Sequence, residues 1–276
     1  MNNRIAYMLF YLKSIIMKAK GRNLFTLITI LFSTLGYSQQ LVAEVEYIKL
    51  EPGKWKEFSE LRKDVLIPYN QGRMDADMIV GWGLYERMHT GADDPYTHII
   101  VSIYDDYLKT ENSVNWEWIN ENFSEEEVAA MMERFRETWT VVKEDVYFNI
   151  TALESPADSK YLTFDRIKTF KGQGPAFRKL IKEISKPVFE RTIADGVKSS
   201  WSVWMKFLPD ESFNHVIVNS YTEFGQWRKV MQLTHKIAEE VHPDISMEEI
   251  LEKFNATRSI ESRELWKLLD VVKPPA

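Results

Sequence analysis

Apolar and polar residues alternate along several short segments of the chain, and apolar residues between these segments recur at helical spacing. Residues 45–50 (VEYIKL) alternate and predict a strand, and residues 55–66 repeat apolar positions with a helical period. Residues 78–88 and 97–107 alternate again and predict a β-hairpin closed by a polar loop. A helix is predicted at 124–135, where a serine N-cap precedes three glutamates.

The second half of the chain repeats this pattern. Residues of the same type recur 119 positions apart through the first strand, the first helix and the second strand, and 117 positions apart through the third strand. The pairs include Ile48 with Ile167, Phe58 with Phe177, Trp82 with Trp201, His98 with His215, and Tyr104 with Tyr221. These offsets predict a tandem duplication, with repeats at 42–155 and 160–274 joined by a short linker.

Each repeat is predicted to fold in the order βαββαβ. The fourth strand is expected at 144–153, and its counterpart at 263–272 fits a helix as well as a strand until the repeat assigns it as a strand. This order describes the ferredoxin-like motif, a four-stranded antiparallel sheet with helices on one face. Because the other face is open, the two halves are expected to cover each other sheet to sheet. The predicted fold class is α+β, with two tandem ferredoxin-like repeats packed as a pseudo-dimeric α+β barrel.

Two such repeats in one chain resemble the dimeric α+β barrel superfamily. That superfamily includes stress-responsive barrel proteins, small antibiotic-biosynthesis-type monooxygenases and chlorite-dismutase-like haem proteins. The resemblance covers residues 42–274 and depends on the element order and the internal repeat, with no catalytic motif that selects one branch. It therefore implies a fold and assigns no active-site residue.

The first 38 residues differ from the rest, with five basic residues and no acidic one. A basic segment, the apolar run at 24–37 and small residues at its exit are typical of a secretory signal peptide over 1–38. Translation is expected to start at Met17, and an uncleaved N-terminal anchor is the alternative. With no cysteine to carry a lipid, the protein is expected to be exported to the periplasm or the medium, without stable membrane insertion after cleavage.

Charge narrows the range of partners. Removal of 1–38 leaves 30 basic and 41 acidic residues, a net charge near −11. Such a surface argues against nucleic acid as a partner, because phosphate binding needs a basic face. The histidines show no metal-binding spacing, so neither a metal nor another cofactor is predicted. The sequence does not address the oligomeric state.

The third strand of each repeat carries the candidate binding residues. Its more apolar face, with Ile99, Val101 and Ile103 in the first repeat, is expected to face the helices. The other face is expected to line the space between the halves. The candidate ligand-binding residues are Arg73, Trp82, His98, Tyr104, Trp201, His215 and Tyr221.

Three functions fit these residues. The favoured interpretation is an exported protein that binds a small hydrophobic or aromatic molecule between its halves. The first alternative is a cofactor-independent oxygenase or isomerase with His98 or His215 as its base. The second alternative is a structural module whose barrel is filled by aromatic side chains.

Overall fold

The computed structural model describes residues 40–91, 93–154 and 159–273, so the predicted signal peptide lies outside the described residues. The first repeat contains β1 (Val42–Leu50), α1 (Trp55–Leu61), α2 (Ile67–Asp75), β2 (Gly81–Arg87), β3 (His98–Tyr104), α3 (Trp116–Asn122), α4 (Glu125–Thr138) and β4 (Trp139–Glu154). The second contains β5 (Tyr161–Thr169), α5 (Gly174–Leu180), α6 (Lys186–Ala194), β6 (Ser200–Lys206), β7 (His215–Tyr221), α7 (Gln226–Val241), α8 (Met247–Asn255) and β8 (Arg258–Val272). None of the helices in these ranges is long and apolar enough to cross a membrane.

The eight strands form one closed antiparallel barrel in the order β1-β3-β2-β8-β5-β7-β6-β4. Each repeat contributes four neighbouring strands in ferredoxin-like order, β4-β1-β3-β2 and β8-β5-β7-β6. The two sheets join at two seams, where β2 pairs with β8 and β4 pairs with β6. The predicted fold class is confirmed, and residues 263–272 lie in strand β8, as the repeat indicated. Closure leaves no strand edge unpaired along the ring.

The helices cover the outside of the barrel, and each repeat has a proline inside its first helical segment. A π-helical turn at Arg62–Leu66 joins α1 to α2, and Ile181–Ser185 forms the same turn between α5 and α6. Pro68 and Pro187 follow these turns. Proline lacks an N–H and clashes with the carbonyl four residues earlier, and the wider turn accommodates it without ending the helical path. The segment therefore continues through α2.

The barrel interior is filled mainly by apolar and aromatic side chains from both repeats, among them Ala43, Val45, Tyr47, Ile99, Tyr147, Phe164, Val216 and Trp266. An ion pair crosses each seam at an equivalent position. Lys206 Nζ lies 3.1 Å from Asp145 Oδ1, and Arg87 Nη2 lies 3.6 Å from Glu264 Oε1. The two cations occupy equivalent positions in the repeats, and so do the two carboxylates, since each pair of positions is 119 residues apart.

The structure reverses the predicted orientation of β3 and β7. Ile99, Val101 and Ile103 pack inside the barrel. The more polar face of β3 lies against the helices, where Ile100 and Tyr104 join the core beneath them. The physical reason is that the closed interior offers few partners for polar groups, whereas helix side chains satisfy them on the outer face. In β2, Trp82 also faces the helices, and Tyr85 points into the barrel.

Candidate functional site

The predicted binding residues are best assessed against three cavities, one inside the barrel and two between the sheet and the helices. The cavity inside the barrel measures about 160 Å³, below the roughly 300 Å³ at which small-molecule sites begin. This volume does not fit the predicted ligand between the halves. One cleft lies beneath the helices of each repeat: the first cleft measures about 590 Å³ and the second cleft about 240 Å³.

The first cleft is walled by aromatic side chains and floored by the outer face of β1, β2 and β3. Its lining includes Glu46, Tyr69, Arg73, Trp82, Ser102, Phe135 and Trp139. The alternation of β1 places Glu44 and Glu46 on the helix-facing side, opposite the apolar residues that fill the barrel. Ser102 pairs with both Glu44 and Trp82 across the sheet. The floor therefore combines carboxylates, a hydroxyl and an indole.

Arg73 is the cation of the first cleft, and 6% of its surface is exposed. Its Nη1 donates to Asn70 Oδ1 at 2.9 Å and to Ser102 Oγ at 3.3 Å. Its Nη2 donates to the Tyr104 hydroxyl at 2.8 Å, and that hydroxyl donates to Glu44 Oε2 at 2.7 Å. Among the described residues no carboxylate lies within 4.0 Å of the guanidinium, and its buried Nε has no hydrogen-bond partner. A buried positive charge is thus held rigidly but is not neutralised by direct contact.

Glu46 lies on the same cleft wall and is partly buried. Burial raises its pKa to about 7, helped by the carboxylates of Glu144 and Glu44 and opposed by Arg73. Glu144 is its cross-strand neighbour on β4, so two like charges face each other there. A carboxyl group with this pKa can take up or release a proton near neutral pH. The first cleft therefore holds an anion-attracting cation and a proton-exchanging acid.

The second cleft has the same position in its repeat but different chemistry. Trp201 and Tyr221 line it, as the counterparts of Trp82 and Tyr104. Its lining includes Lys198, which precedes β6, together with Arg258 and Arg263, whereas the position equivalent to Arg73 is the buried Thr192. Arg73 and Trp82 therefore lie in a different cleft from Trp201 and Tyr221, and these residues do not form one site between the halves.

The two candidate histidines lie deep under the first helix of each repeat. Both rings are 3% exposed and pack against a phenylalanine, His98 on Phe58 and His215 on Phe177. Burial lowers the pKa of each imidazole to about 4, and a neighbouring arginine adds to the effect. Neither ring lines the first or second cleft. This placement argues against the predicted role of either histidine as a general base.

Arg73, Trp82 and Tyr104 were predicted from the sequence as binding residues. In the structure, Arg73 and Trp82 line the first cleft, and Tyr104 accepts a hydrogen bond from Arg73. Glu46 and Lys198 also line the two clefts, and the sequence pattern did not predict them as site residues. Glu46 could have been found as an acidic residue on a strand whose opposite face is apolar. Lys198 could have been found from the repeat, since its counterpart 119 positions earlier is Ile79, a buried apolar residue. In the ranges that the structure describes, no group of three His, Asp or Glu side chains could hold a metal ion.

No protein-family model matches the chain, and no curated protein matches it. Several solved structures are similar to this chain. A candidate monooxygenase from Fusobacterium nucleatum is 14% identical, with a TM-score of 0.56 over 87% of this chain and 97% of its own. One from Lactobacillus acidophilus is 9% identical, with a TM-score of 0.52 over 85% and 96%. A chlorite dismutase variant from Candidatus Nitrospira defluvii, in complex with cyanide, is 7% identical, with a TM-score of 0.51 over 83% and 91%. At these identities the likeness shows the dimeric α+β barrel fold alone.

The resemblance includes haem proteins, and the second cleft can be tested for that group. A haem iron needs a protein ligand such as a histidine nitrogen, and His235 on α7 lines this cleft. The cleft volume of about 240 Å³ is below the range for drug-sized ligands, and the buried side chain of Lys198 occupies its wall. The residues present therefore do not fit a macrocycle.

Proposed function

We propose that the protein binds a small aromatic or hydrophobic molecule carrying an acidic group, and that it does so in the first cleft. The observation that carries this proposal is the buried Arg73 guanidinium, which lines an aromatic cleft of about 590 Å³ without a carboxylate in contact. A ligand carboxylate or phenolate would supply the missing charge. Trp82, Phe135 and Trp139 would cover its apolar body.

The rigid mounting of Arg73 supports this assignment. Asn70, Ser102 and Tyr104 fix the two Nη atoms, so little side-chain entropy remains to be lost on binding. The Nε is buried and has no hydrogen-bond partner, so a ligand atom that reached it would form a charge-assisted hydrogen bond. A charge-assisted hydrogen bond of this kind is about twice as strong as a neutral one.

A second candidate function is proton transfer on the bound molecule, and the position of Glu46 favours it. This carboxyl group shares the cleft wall with Arg73, and its pKa of about 7 suits a general base at neutral pH. Glu46 would remove a proton from the ligand, and Arg73 would stabilise the resulting anion. This arrangement replaces the histidine base predicted from the sequence, and structurally similar proteins described as candidate monooxygenases are consistent with such chemistry.

The first test is native mass spectrometry of the full chain purified from its own source, compared with its denatured mass. A bound ligand adds a mass that disappears on denaturation.

The second test measures binding of 8-anilino-1-naphthalenesulfonate, an aromatic anion, by fluorescence titration. Arg73→Gln is expected to weaken this binding at least about tenfold, the effect of one charge-assisted hydrogen bond. The exposed Arg191→Gln serves as the control. Equal affinity of the Arg73→Gln protein and the control would reject the first cleft as the site.

We propose further that the protein works outside the cytoplasm. The basic and apolar composition of residues 1–38 supports this proposal. The intact mass of the protein recovered from its own cells tests it. A start near residue 39 is expected, and a chain that retains residues 17–38 would contradict cleavage.

A further inference from the structure

Lys198 is a buried amine in the wall of the second cleft, with 2% of its surface exposed. Its Nζ donates to Asn219 Oδ1 at 2.6 Å, and Asn219 Nδ2 in turn donates to Thr163 Oγ1 at 3.1 Å. The same Nζ lies 3.9 Å from the centre of the Phe189 ring. Among the described residues no carboxylate lies within 4.0 Å of this amine. A lysine buried without an ion pair is uncommon, because an isolated ammonium is costly to desolvate.

The charged groups around Lys198 do not neutralise it. Asp165 is the nearest acidic group in the cleft, and Arg263 holds both of its oxygens at 2.6 and 2.7 Å. Arg258 also lines the cleft, together with Tyr221, His235 and Thr234. The pKa of Lys198 is lowered to about 7, mainly by burial; Asp165 opposes this shift and Arg263 adds to it. A large fraction of the amine is therefore neutral at neutral pH, and a neutral amine is a nucleophile.

We propose that the second cleft is a covalent site for small carbonyl compounds that carry a carboxylate, with Lys198 as the nucleophile. The Nζ lone pair attacks the carbonyl carbon, a C–N bond forms, and the carbonyl π electrons move to oxygen, which takes up one of the protons of the nitrogen. The resulting carbinolamine loses the hydroxyl group and the nitrogen proton as water and leaves an imine. The step is reversible, and it needs no oxidant or reductant. Asn219 orients the amine at the start of this step.

The remaining groups of the second cleft match the carboxylate of such a compound. Arg258 Nε and Thr234 Oγ1 are both buried without a hydrogen-bond partner, and both line the cleft. The volume of about 240 Å³ favours a compound of a few carbon atoms over a larger ring system. Small oxo acids combine a carbonyl, a carboxylate and this size. The site is separate from the first cleft, so it holds whether or not Arg73 binds a ligand.

The test is reductive trapping on the full chain at pH 7 with glyoxylate and sodium cyanoborohydride. The reagent converts an imine into a stable carboxymethyl-lysine, which peptide mass spectrometry locates. Lys56 provides the internal reference, because its side chain is 90% exposed. We expect Lys198 to be labelled at least about tenfold faster than Lys56, since an ordinary lysine is almost fully protonated at this pH. Labelling of Lys198 at or below the rate of Lys56 would overturn the proposal.

The role of Arg258 is tested with a neutral aldehyde. Arg258→Met is expected to slow trapping of glyoxylate at Lys198 about tenfold and to leave trapping of acetaldehyde unchanged, and Arg258→Lys should recover part of the glyoxylate rate. Circular dichroism verifies that both variants are folded. An equal loss with both aldehydes, or no loss with either, would overturn the assignment of Arg258 to the carboxylate. Lys198→Arg is expected to abolish the adduct on the peptide that contains residue 198. An adduct that persists on this peptide in the variant would reject Lys198 as the nucleophile.

Discussion

Lys206 and Asp145 lie 3.1 Å apart across the seam between β6 and β4, and both side chains are buried. Asp145→Asn leaves the ammonium without its buried partner and is expected to lower the free energy of unfolding by about 3 kcal/mol. Urea denaturation measures this change. The exposed pair of Lys56 and Glu60 provides the control, and Lys56→Met should change stability by less than about 1 kcal/mol.

The double variant Lys206→Met with Asp145→Leu should regain most of that loss, because two apolar groups need no charge partner. If the single Asp145→Asn variant were as stable as the wild type, Asp210, the other acidic partner of Lys206, would be sufficient to hold this seam.

Glu46 makes stability depend on pH in an unusual direction. Its pKa is about 7 in the folded protein, above the ordinary value of 4.5, so the folded state holds this proton more tightly between these two values. The resulting stabilisation is complete below pH 4.5 and is lost as the pH rises through 7. Between pH 5 and 8 the wild type should lose about 2 kcal/mol relative to Glu46→Gln. Urea denaturation at both pH values measures the difference. The exposed Glu121→Gln should follow the wild type, and parallel pH profiles for Glu46→Gln and the wild type would contradict the assignment.

The buried histidines act in the opposite sense. Their pKa is about 4 in the folded protein, below the ordinary value of 6.5, so the unfolded chain binds these protons more tightly. The contribution of the neutral histidines to the free energy of unfolding is fully present above pH 6.5 and is lost as the pH is lowered toward 4. Two-dimensional NMR of the imidazole nitrogens should show both rings neutral at pH 5.5. A midpoint above pH 6 for His98 or His215 would show that its ring reaches solvent.

Gly72 is required by a close contact between two helices. A Cβ atom built at this position would lie 2.4 Å from Cδ1 of Trp118 on α3. Gly→Ala inside a helix ordinarily stabilises by about 1 kcal/mol, but overpacking costs roughly 1–3 kcal/mol, so Gly72→Ala should lower stability. Thermal unfolding gives the sign. In a Trp118→Leu background the same substitution should become neutral or stabilising, and a loss of equal size there would exclude the indole as the cause.

The duplication made most of the fold predictable from sequence. Residues 263–272 show the value of the repeat. Their own pattern is ambiguous, but the strand expected of their counterparts in the first repeat predicts the strand β8 that they form. The π-helical turns were not predictable. They arise because Pro68 and Pro187 must be accommodated within a helix that packs along the sheet, and a spacing pattern alone cannot show which hydrogen bonds shift.

Only part of the candidate site was predictable from sequence, namely Arg73, Trp82 and Tyr104, and its location was not. Alternation identifies which residues share a strand face, but it does not show which face points into a closed barrel. Both faces of β3 are buried, so apolar Ile99 and polar Ser102 gave conflicting signals. In the structure, Arg73 on α2 donates hydrogen bonds to Ser102 and Tyr104, and these contacts show that this face of β3 lies against the helices.

Because both halves of the closed eight-stranded barrel belong to one chain, closure of the barrel does not depend on protein concentration. Two separate four-stranded repeats would have to associate, and their assembly would weaken on dilution. A covalent link between β4 and β5 makes the same closure intramolecular, with an effective concentration in the millimolar range. The barrel should therefore persist at any dilution, and each repeat is free to develop its own cleft while the other supports the shared wall.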